Sequence, residues 1–307
     1  MRVIITGGSG LIGQALGKEL SQHGYEVIVL SRSLSRSPEA SQGSGSDNIR
    51  IVRWDGKTAL GWGELANEAK AIVNLAGANI SGGRWTDAKK RLILQSRVDA
   101  GSAVTQAVES VSTKPQVVVQ SSAVGYYGAH GDEPVTEAAP VGQDFLAGVC
   151  VKWEASSAGV ENAGVRRVIV RTGVVLSDRG GALPLMALPY RLFAGGPIGS
   201  GRQWFPWITL ADEVGAIRFL IENPAALGVF NLSAPNPLTN REFGKVLGKV
   251  LRRPSYFPAP AFLFKLLFGE MSTILLDGQR QIPERLLKLG YSFRFQQAEQ
   301  ALREIYP

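Results

Sequence analysis

Short apolar runs alternate with longer amphipathic stretches from the first residues onward. Val3-Ile4-Ile5 is a compact, β-branched run. Glycines follow it, and then Leu11, Ile12, Ala15, Leu16 and Leu20 recur at helical spacing. Glu26 to Leu30 is a second apolar run. The first thirty residues therefore predict strand, tight turn, helix, strand, a unit whose crossover is right-handed. Residues 49–53, 71–76, 116–120 and 165–171 predict four further strands. Helical patterns over roughly 86–110 and 143–163 flank the fifth strand. Ser33 to Asn48 is rich in Ser, Gly and Pro and reads as a surface loop. Strands alternating with helices in this way predict an α/β fold built on a doubly wound parallel sheet.

The texture changes after residue 173. Gly195-Gly196-Pro197-Ile198-Gly199-Ser200-Gly201 is a glycine-rich loop, and Trp204-Phe205-Pro206-Trp207 follows it. Asp212 to Glu222 predicts a helix, and Gly228 to Ser233 a strand able to rejoin the sheet. Thr239 and Glu242 form a capping-box pattern before Phe243 to Leu251. Helical patterns near 262–276, at 283–289 and from Gln296 complete the chain.

Composition narrows the classes. The 307 residues are 45% hydrophobic and 19% charged, which excludes a largely disordered chain or a coiled coil. The net charge of +7 favours anionic partners, but Lys89-Lys90-Arg91 and Arg252-Arg253 are the densest basic pieces, too short for a nucleic-acid surface. The single cysteine, Cys150, and the two histidines, His23 and His130, exclude an internal disulfide and Cys- or His-rich metal sites. No apolar run approaches the ~18 residues of a membrane span, and no signal-peptide core is present. A cytoplasmic protein with no membrane or nucleic-acid partner is expected.

The sharpest chemical signal is Gly7-Gly8-Ser9-Gly10-Leu11-Ile12-Gly13, between the first strand and the first helix. Gly7 permits the tight turn, Gly10 lets the backbone approach a pyrophosphate, and Gly13 lets helix pack on strand. Phosphates would sit at the helix N-terminus, where open N–H groups and the dipole favour negative charge. This is the Rossmann-type dinucleotide cradle. The second strand ends in Ser31-Arg32-Ser33, with no acid to bind a ribose 2′-hydroxyl. Arg32 can instead pair with a 2′-phosphate, aided by Ser31 and Ser33, in charge-assisted bonds of ~1.5–3 kcal/mol each. NADP(H) is therefore expected over NAD(H); the competing reading of Arg32 is a solvated loop charge. Residues 1–173, with 211–234 rejoining them, form the expected NADP-binding domain. Residues 174–210 and 235–307 form a smaller, α-rich substrate lobe.

These residues, with Asn74-Leu75-Ala76-Gly77 and Ser121-Ser122, resemble the extended short-chain dehydrogenase/reductase superfamily. The Gly195–Gly201 loop, Trp204-Phe205-Pro206-Trp207-Ile208, Gly278-Gln279-Arg280 and Ile282-Pro283 resemble its NAD(P)-dependent epimerase branch whose members lack an assigned substrate. The resemblance implies that Asp55 lies near the adenine and that Leu75, Ala76 and Gly77 line the riboses. It implies a cofactor contact at Arg97, otherwise a helix-surface charge, and places Val174 near the nicotinamide. It also suggests a homodimer through the two long helices.

The superfamily's usual Tyr-x-x-x-Lys is missing. Its places fall at Leu146 and Cys150, neither of which reproduces that chemistry, and Lys152 belongs to another helix face. Candidate replacements stand at the end of the fifth strand, where doubly wound folds bind ligands. Ser122 could bond a substrate carbonyl, and Tyr126 or Tyr127 could donate the proton. Equally, a strand-end serine caps a turn and a Tyr-Tyr-Gly packs a loop. Cys150 reads as an inert packed thiol. Arg202, Gln203, Trp204, Phe205 and Trp207 either grip substrate or pack the second lobe. Two functions remain open. One is an NADP(H)-dependent oxidoreductase or epimerase acting on a small polar molecule, sugar- or nucleotide-like. The other is a non-catalytic NADP(H)-binding redox sensor or interaction module.

Overall fold

The computed structural model describes residues 1–32 and 48–307. Ser33 and nearly all of the expected surface loop lie outside the described residues. Seven parallel strands form the central sheet: β1 (Arg2–Thr6), β2 (Glu26–Ser31), β3 (Ile49–Arg53), β4 (Ala71–Asn74), β5 (Val117–Ala123), β6 (Arg166–Thr172) and β7 (Gly228–Leu232). Their order is β7-β6-β5-β4-β1-β2-β3. The order reverses direction between β1 and β4, the switch point at which such sheets open a crevice. β7 pairs with β6 in register Gly228↔Val168 to Leu232↔Thr172, so the chain returns to the sheet after its excursion into the second lobe.

Helices cover both faces because both faces are apolar. Val3 and Ile5 of β1 pack with Leu16 and Leu20 of α1 (Leu11–Gln22) and with Ile217 and Leu220 of α5 (Leu210–Glu222). Ile4, on the alternate side, joins Ile72, Val118 and the Val104 and Val108 side chains of α2 (Asp87–Ser110). α3 (Phe145–Ala155) lies against α2. The helical pattern expected to run to 163 resumes over Gly159–Asn162 after a break behind Ala155. There the Ser156 hydroxyl donates to the Trp153 carbonyl at 2.6 Å and competes with the helical ladder. The second lobe has its own core, in which Leu183 and Tyr190 of α4 (Leu183–Arg191) meet Trp207, Phe243 and Leu247 of α6 (Asn240–Leu251) and Leu302 of α8 (Ala298–Ile305). The predicted capping box is present at α6, with Thr239 and Glu242 bonding each other's backbone N–H. Between α6 and α8, α7 (Ala261–Phe268) is shorter than its pattern suggested, because Gly269 ends it with φ +58°. Among the described residues no helix is long and apolar enough to cross a membrane.

Two buried polar groupings tie the carboxyl end of the sheet to its surroundings. In the first, Arg171 of β6 donates from Nε and Nη2 to the two carboxylate oxygens of Glu154 on α3, both at 2.9 Å. Ser122 of β5 donates to Glu154 at 2.6 Å, and Arg171 Nη1 donates to the Tyr127 hydroxyl at 3.1 Å. Tyr127 donates onward to Asn231 of β7 at 2.6 Å. Burial alone would lower the Arg171 pKa, but the Glu154 carboxylate reverses this and holds the guanidinium charged. In the second, Glu213 in the first turn of α5 is 1% exposed, and its Oε1 lies 2.8 Å from Thr172 Oγ1 at the end of β6. Its Oε2 has no partner among the described residues, and desolvation pushes its carboxyl up to about 8.

Replacing Glu154 by Ala strands the Arg171 charge in the interior, and the unfolding free energy in urea is expected to fall by about 3–5 kcal/mol. Glu213 gives a pH signature of its own. Its folded pKa lies above the ordinary 4.5, so the stability it contributes is complete below 4.5 and is lost as pH rises to about 8. Glu213→Gln removes that loss. The unfolding free energy of the variant is expected to gain on that of the parent across this window, at about 1.4 kcal/mol per pH unit.

Candidate active site

The glycine turn has the shape of a phosphate cradle. Gly7 adopts φ +68°, and a Cβ there would meet the Leu75 carbonyl carbon and oxygen at 2.8 Å. A Cβ on Gly13 would fall 2.5 Å from the Gly8 Cα, so only glycine lets α1 approach the turn. Gly10 is exposed and stands at the helix N-cap, where no side chain caps the first turn. Its own N–H folds back onto the Gly7 carbonyl at 3.0 Å. The amides of the first turn, Leu11, Ile12 and Gly13, begin the helix beyond it.

The ends of β2, β3 and β4 surround this turn. Ser31 is buried, whereas Arg32 is exposed, makes no ion pair among the described residues, and lays its stem against Gly56. Asp55 is exposed, and its carboxylate accepts from the Lys57 and Thr58 N–H groups and the Thr58 hydroxyl. Slight burial opposes these bonds, yet they hold its pKa below the ordinary value. Leu75 and Ala76 are half-buried beyond β4, tied to β1 through the Thr6 carbonyl and hydroxyl. Gly77 is exposed, and a Cβ there would meet Arg97 Cζ at 2.9 Å.

Arg97 is not a solvated surface charge. Its Nη1 donates to the carbonyls of Ala78 and Ile93, and its guanidinium stacks over Trp153 at 4.8 Å. Burial pulls its pKa down, and it has no carboxylate partner among the described residues. It lines a cavity of about 240 Å³ between the sheet end and the second lobe. Val174 lines the same cavity, as do Ala123, Leu146 and Cys150. The two places where tyrosine and lysine are usual thus both face the cavity, filled by an aliphatic chain and a thiol. Burial pushes the Cys150 thiol up to about 11, so it stays protonated. Trp153, Phe205, Met186, Ile198 and Leu275 make the walls largely apolar.

The three expected catalytic hydroxyls are placed elsewhere. Strand alternation turns Ser122 into the Glu154–Arg171 grouping, and Ala123 faces the cavity in its stead. Tyr127 is 1% exposed, with its hydroxyl held between Asn231 and Arg171. Desolvation, only partly opposed by Arg171, pushes it to about 12. Tyr126 is half-buried, its ring beneath the Arg171 guanidinium at 3.2 Å. None of the three is among the cavity-lining residues. From the second lobe, Gln203, Trp204 and Phe205 reach the cavity, whereas Trp207 is packed into that lobe's core and Arg202 points to solvent. Sequence reasoning passed over Thr172, which lines the cavity, and over Glu213 behind it. Thr172 stood one residue beyond the expected strand, and a helical glutamate beside Asp212 carries no sign of burial.

Comparisons with known proteins agree with this geometry. Residues 3–233 match the NAD dependent epimerase/dehydratase family, and residues 259–305 match a domain of unknown function, DUF1731. The chain is 37% identical over 306 residues to the epimerase family protein YfhF of Bacillus subtilis, covering 99% of this chain and 98% of that one. It is 38% identical over 307 residues to the chloroplastic epimerase family protein SDR39U1 homolog of Arabidopsis thaliana, covering 99% and 86%. The human epimerase family protein SDR39U1, solved with NADPH, superposes with a TM-score of 0.87 at 36% identity over 100% of this chain and 99% of that one. A UDP-N-acetylglucosamine 4-epimerase from Methanobrevibacter ruminantium, at 18% identity and TM-score 0.75 over 99% and 96%, shares the fold. By sequence and by architecture alike, the chain belongs to the NAD dependent epimerase/dehydratase family.

Proposed function

We propose that the protein binds NADP(H) and uses it in an oxidoreductase or epimerase reaction on a small molecule held in the cavity beside Arg97 and Val174. The observation that carries this reading is the exposed Arg32 at the end of β2, without an ion pair among the described residues and beside a glycine turn in which a Cβ would collide with Leu75. The turn and the uncapped start of α1 suit a diphosphate, and Arg32 suits a 2′-phosphate. Leu75, Ala76 and Gly77 would hold the riboses, and Arg97 the inner end of the cofactor. The human relative solved with NADPH supports the same choice. When bound, the reduced nicotinamide supplies a hydride.

The walls favour a substrate with an apolar body and one reactive oxygen over the sugar- or nucleotide-like molecule expected from the sequence. Several polar side chains around the cavity are already committed. Gln203 donates to the Ile198 and Leu275 carbonyls, Gln279 to the Gly128 carbonyl, and Asn240 accepts from the Ile198 N–H. A second reading, an NADP(H)-binding redox sensor without turnover, draws on Ala123, Leu146 and Cys150 facing the cavity where acid–base groups are usual.

Arg32→Ala is expected to weaken NADPH binding by ~1.5–3 kcal/mol, about ten- to a hundredfold, and to leave NADH binding unchanged. Isothermal titration of both cofactors against parent and variant checks this. Equal losses for the two cofactors, or tighter binding of NADH by the parent, would remove Arg32 from the 2′-phosphate.

A further inference from the structure

The cavity has no tyrosine to protonate a substrate oxygen, yet a fully buried carboxyl stands one hydroxyl away from it. We infer that Glu213 and Thr172 form a proton relay into the cavity, with Thr172 Oγ1 as the donor to the substrate oxygen and Glu213 as the source of the proton. The inference rests on the cofactor-dependent reading above and names the acid of that same site.

Thr172 ends β6 in register with Ala123 of β5, and both line the cavity. Its Oγ1 lies 2.8 Å from Glu213 Oε1, while Glu213 Oε2 has no partner among the described residues. Among the described residues no cation pairs with Glu213. Asp212, the neighbour on α5, holds the Arg294 and Phe295 N–H groups and the Thr209 hydroxyl. Tyr291 donates to Asp212. On β6, Arg171 points to the opposite face of the sheet, toward Glu154. On α1, Glu19 is paired with Arg218. A carboxylate without a cation at such a site is strongly disfavoured, and Glu213 remains protonated up to about 8. Thr172 donates to the Glu213 carboxylate, but once the carboxyl is protonated the bond reverses: a proton on Oε1 finds Thr172 Oγ1 as its acceptor, whereas a proton on Oε2 finds none among the described residues. Two hydroxyl groups in one hydrogen bond cannot both donate, so the hydrogen of Thr172, a residue of the cavity wall, turns away from Glu213.

The step balances. As the substrate's C=O π bond opens, its oxygen takes the Thr172 hydrogen, and a bound reduced nicotinamide would supply the hydride to its carbon and be oxidised in doing so. Thr172 Oγ1 takes the Glu213 proton in the same movement. Glu213 is left as a carboxylate and regains a proton from water through Thr172 after product leaves. Turnover therefore needs protonated Glu213, and its rate is full below about 8 and falls above it.

Infrared titration of the cofactor-free protein reads the acid directly. A protonated-carboxyl stretch is expected to disappear near pH 8, to be absent in Glu213→Gln, and to shift in Thr172→Val. NADPH consumption with benzaldehyde, cyclohexanone and phenylglyoxal reads the relay. Thr172→Val is expected to lose ~100-fold or more in kcat with NADPH affinity unchanged, while Thr172→Ser restores most of it. Glu213→Gln is expected to turn over slowly and without the alkaline limb. Parental rates in Thr172→Val, an alkaline limb that survives in Glu213→Gln, or no protonated-carboxyl stretch would overturn the relay. So would NADPH binding with none of the three carbonyls consumed, which leaves the cofactor reading standing. Failure to bind NADPH at all would overturn the cofactor reading itself.

Discussion

The buried pairing of Arg171 with Glu154 is the constraint around which the carboxyl end of the sheet is arranged. Two charges taken out of water are tolerable only when nearly every donor and acceptor is met. Here the guanidinium reaches both carboxylate oxygens and a phenol, and the carboxylate also takes the Ser122 hydroxyl. The requirement reaches beyond the pair. Tyr127 must point to Asn231, and Asn231 Oδ1 in turn accepts from Gln281 of the C-terminal segment. Strands β5, β6 and β7, helix α3 and the tail are thus fixed to one another by a single satisfied polar assembly.

That assembly determines what remains for chemistry. Ser122 and Tyr127 are occupied, so the cavity is walled by their neighbours Ala123, Val124 and Gly125. A largely apolar chamber strengthens any electrostatic interaction made inside it. It also isolates Arg97, whose aromatic support and two carbonyl acceptors hold it in place without neutralising it. A guanidinium so placed has an affinity for anions or polarised oxygens that a solvated arginine lacks.

Much of the sheet was legible in the residue pattern, because strands buried on both faces read as unbroken apolar runs, as at Val117-Val118-Val119. The phosphate turn was legible for a related reason: glycines at 7, 10 and 13 have few other uses between a strand and a helix. The inner site was harder. Whether Ser122 or Ala123 faces the ligand depends on the register of one strand, and a shift by one residue exchanges the two faces. Arg97 could be read from the sequence as a surface charge because α2 is polar along much of its length. Only the approach of Trp153 and of the bare Gly77 backbone shows that it is enclosed. Glu213 was invisible in the same way, since its burial comes from β6, far away in sequence.

The tail segment Arg280–Gln281 pairs with Pro134–Val135, and the Gln281 side chain donates to the Arg171 carbonyl as well as to Asn231. Two separately matched stretches of sequence are thereby interlocked at the most polar point of the interior. The later stretch cannot be swapped or shed like a bead on a string. A chain cut before residue 259 would leave the Asn231 side chain without one acceptor, the Ile282 carbonyl, and without one donor, the Gln281 amide, and would open the roof of the chamber at Gly278 and Gln279. The tail is therefore the keystone of the sheet's carboxyl end.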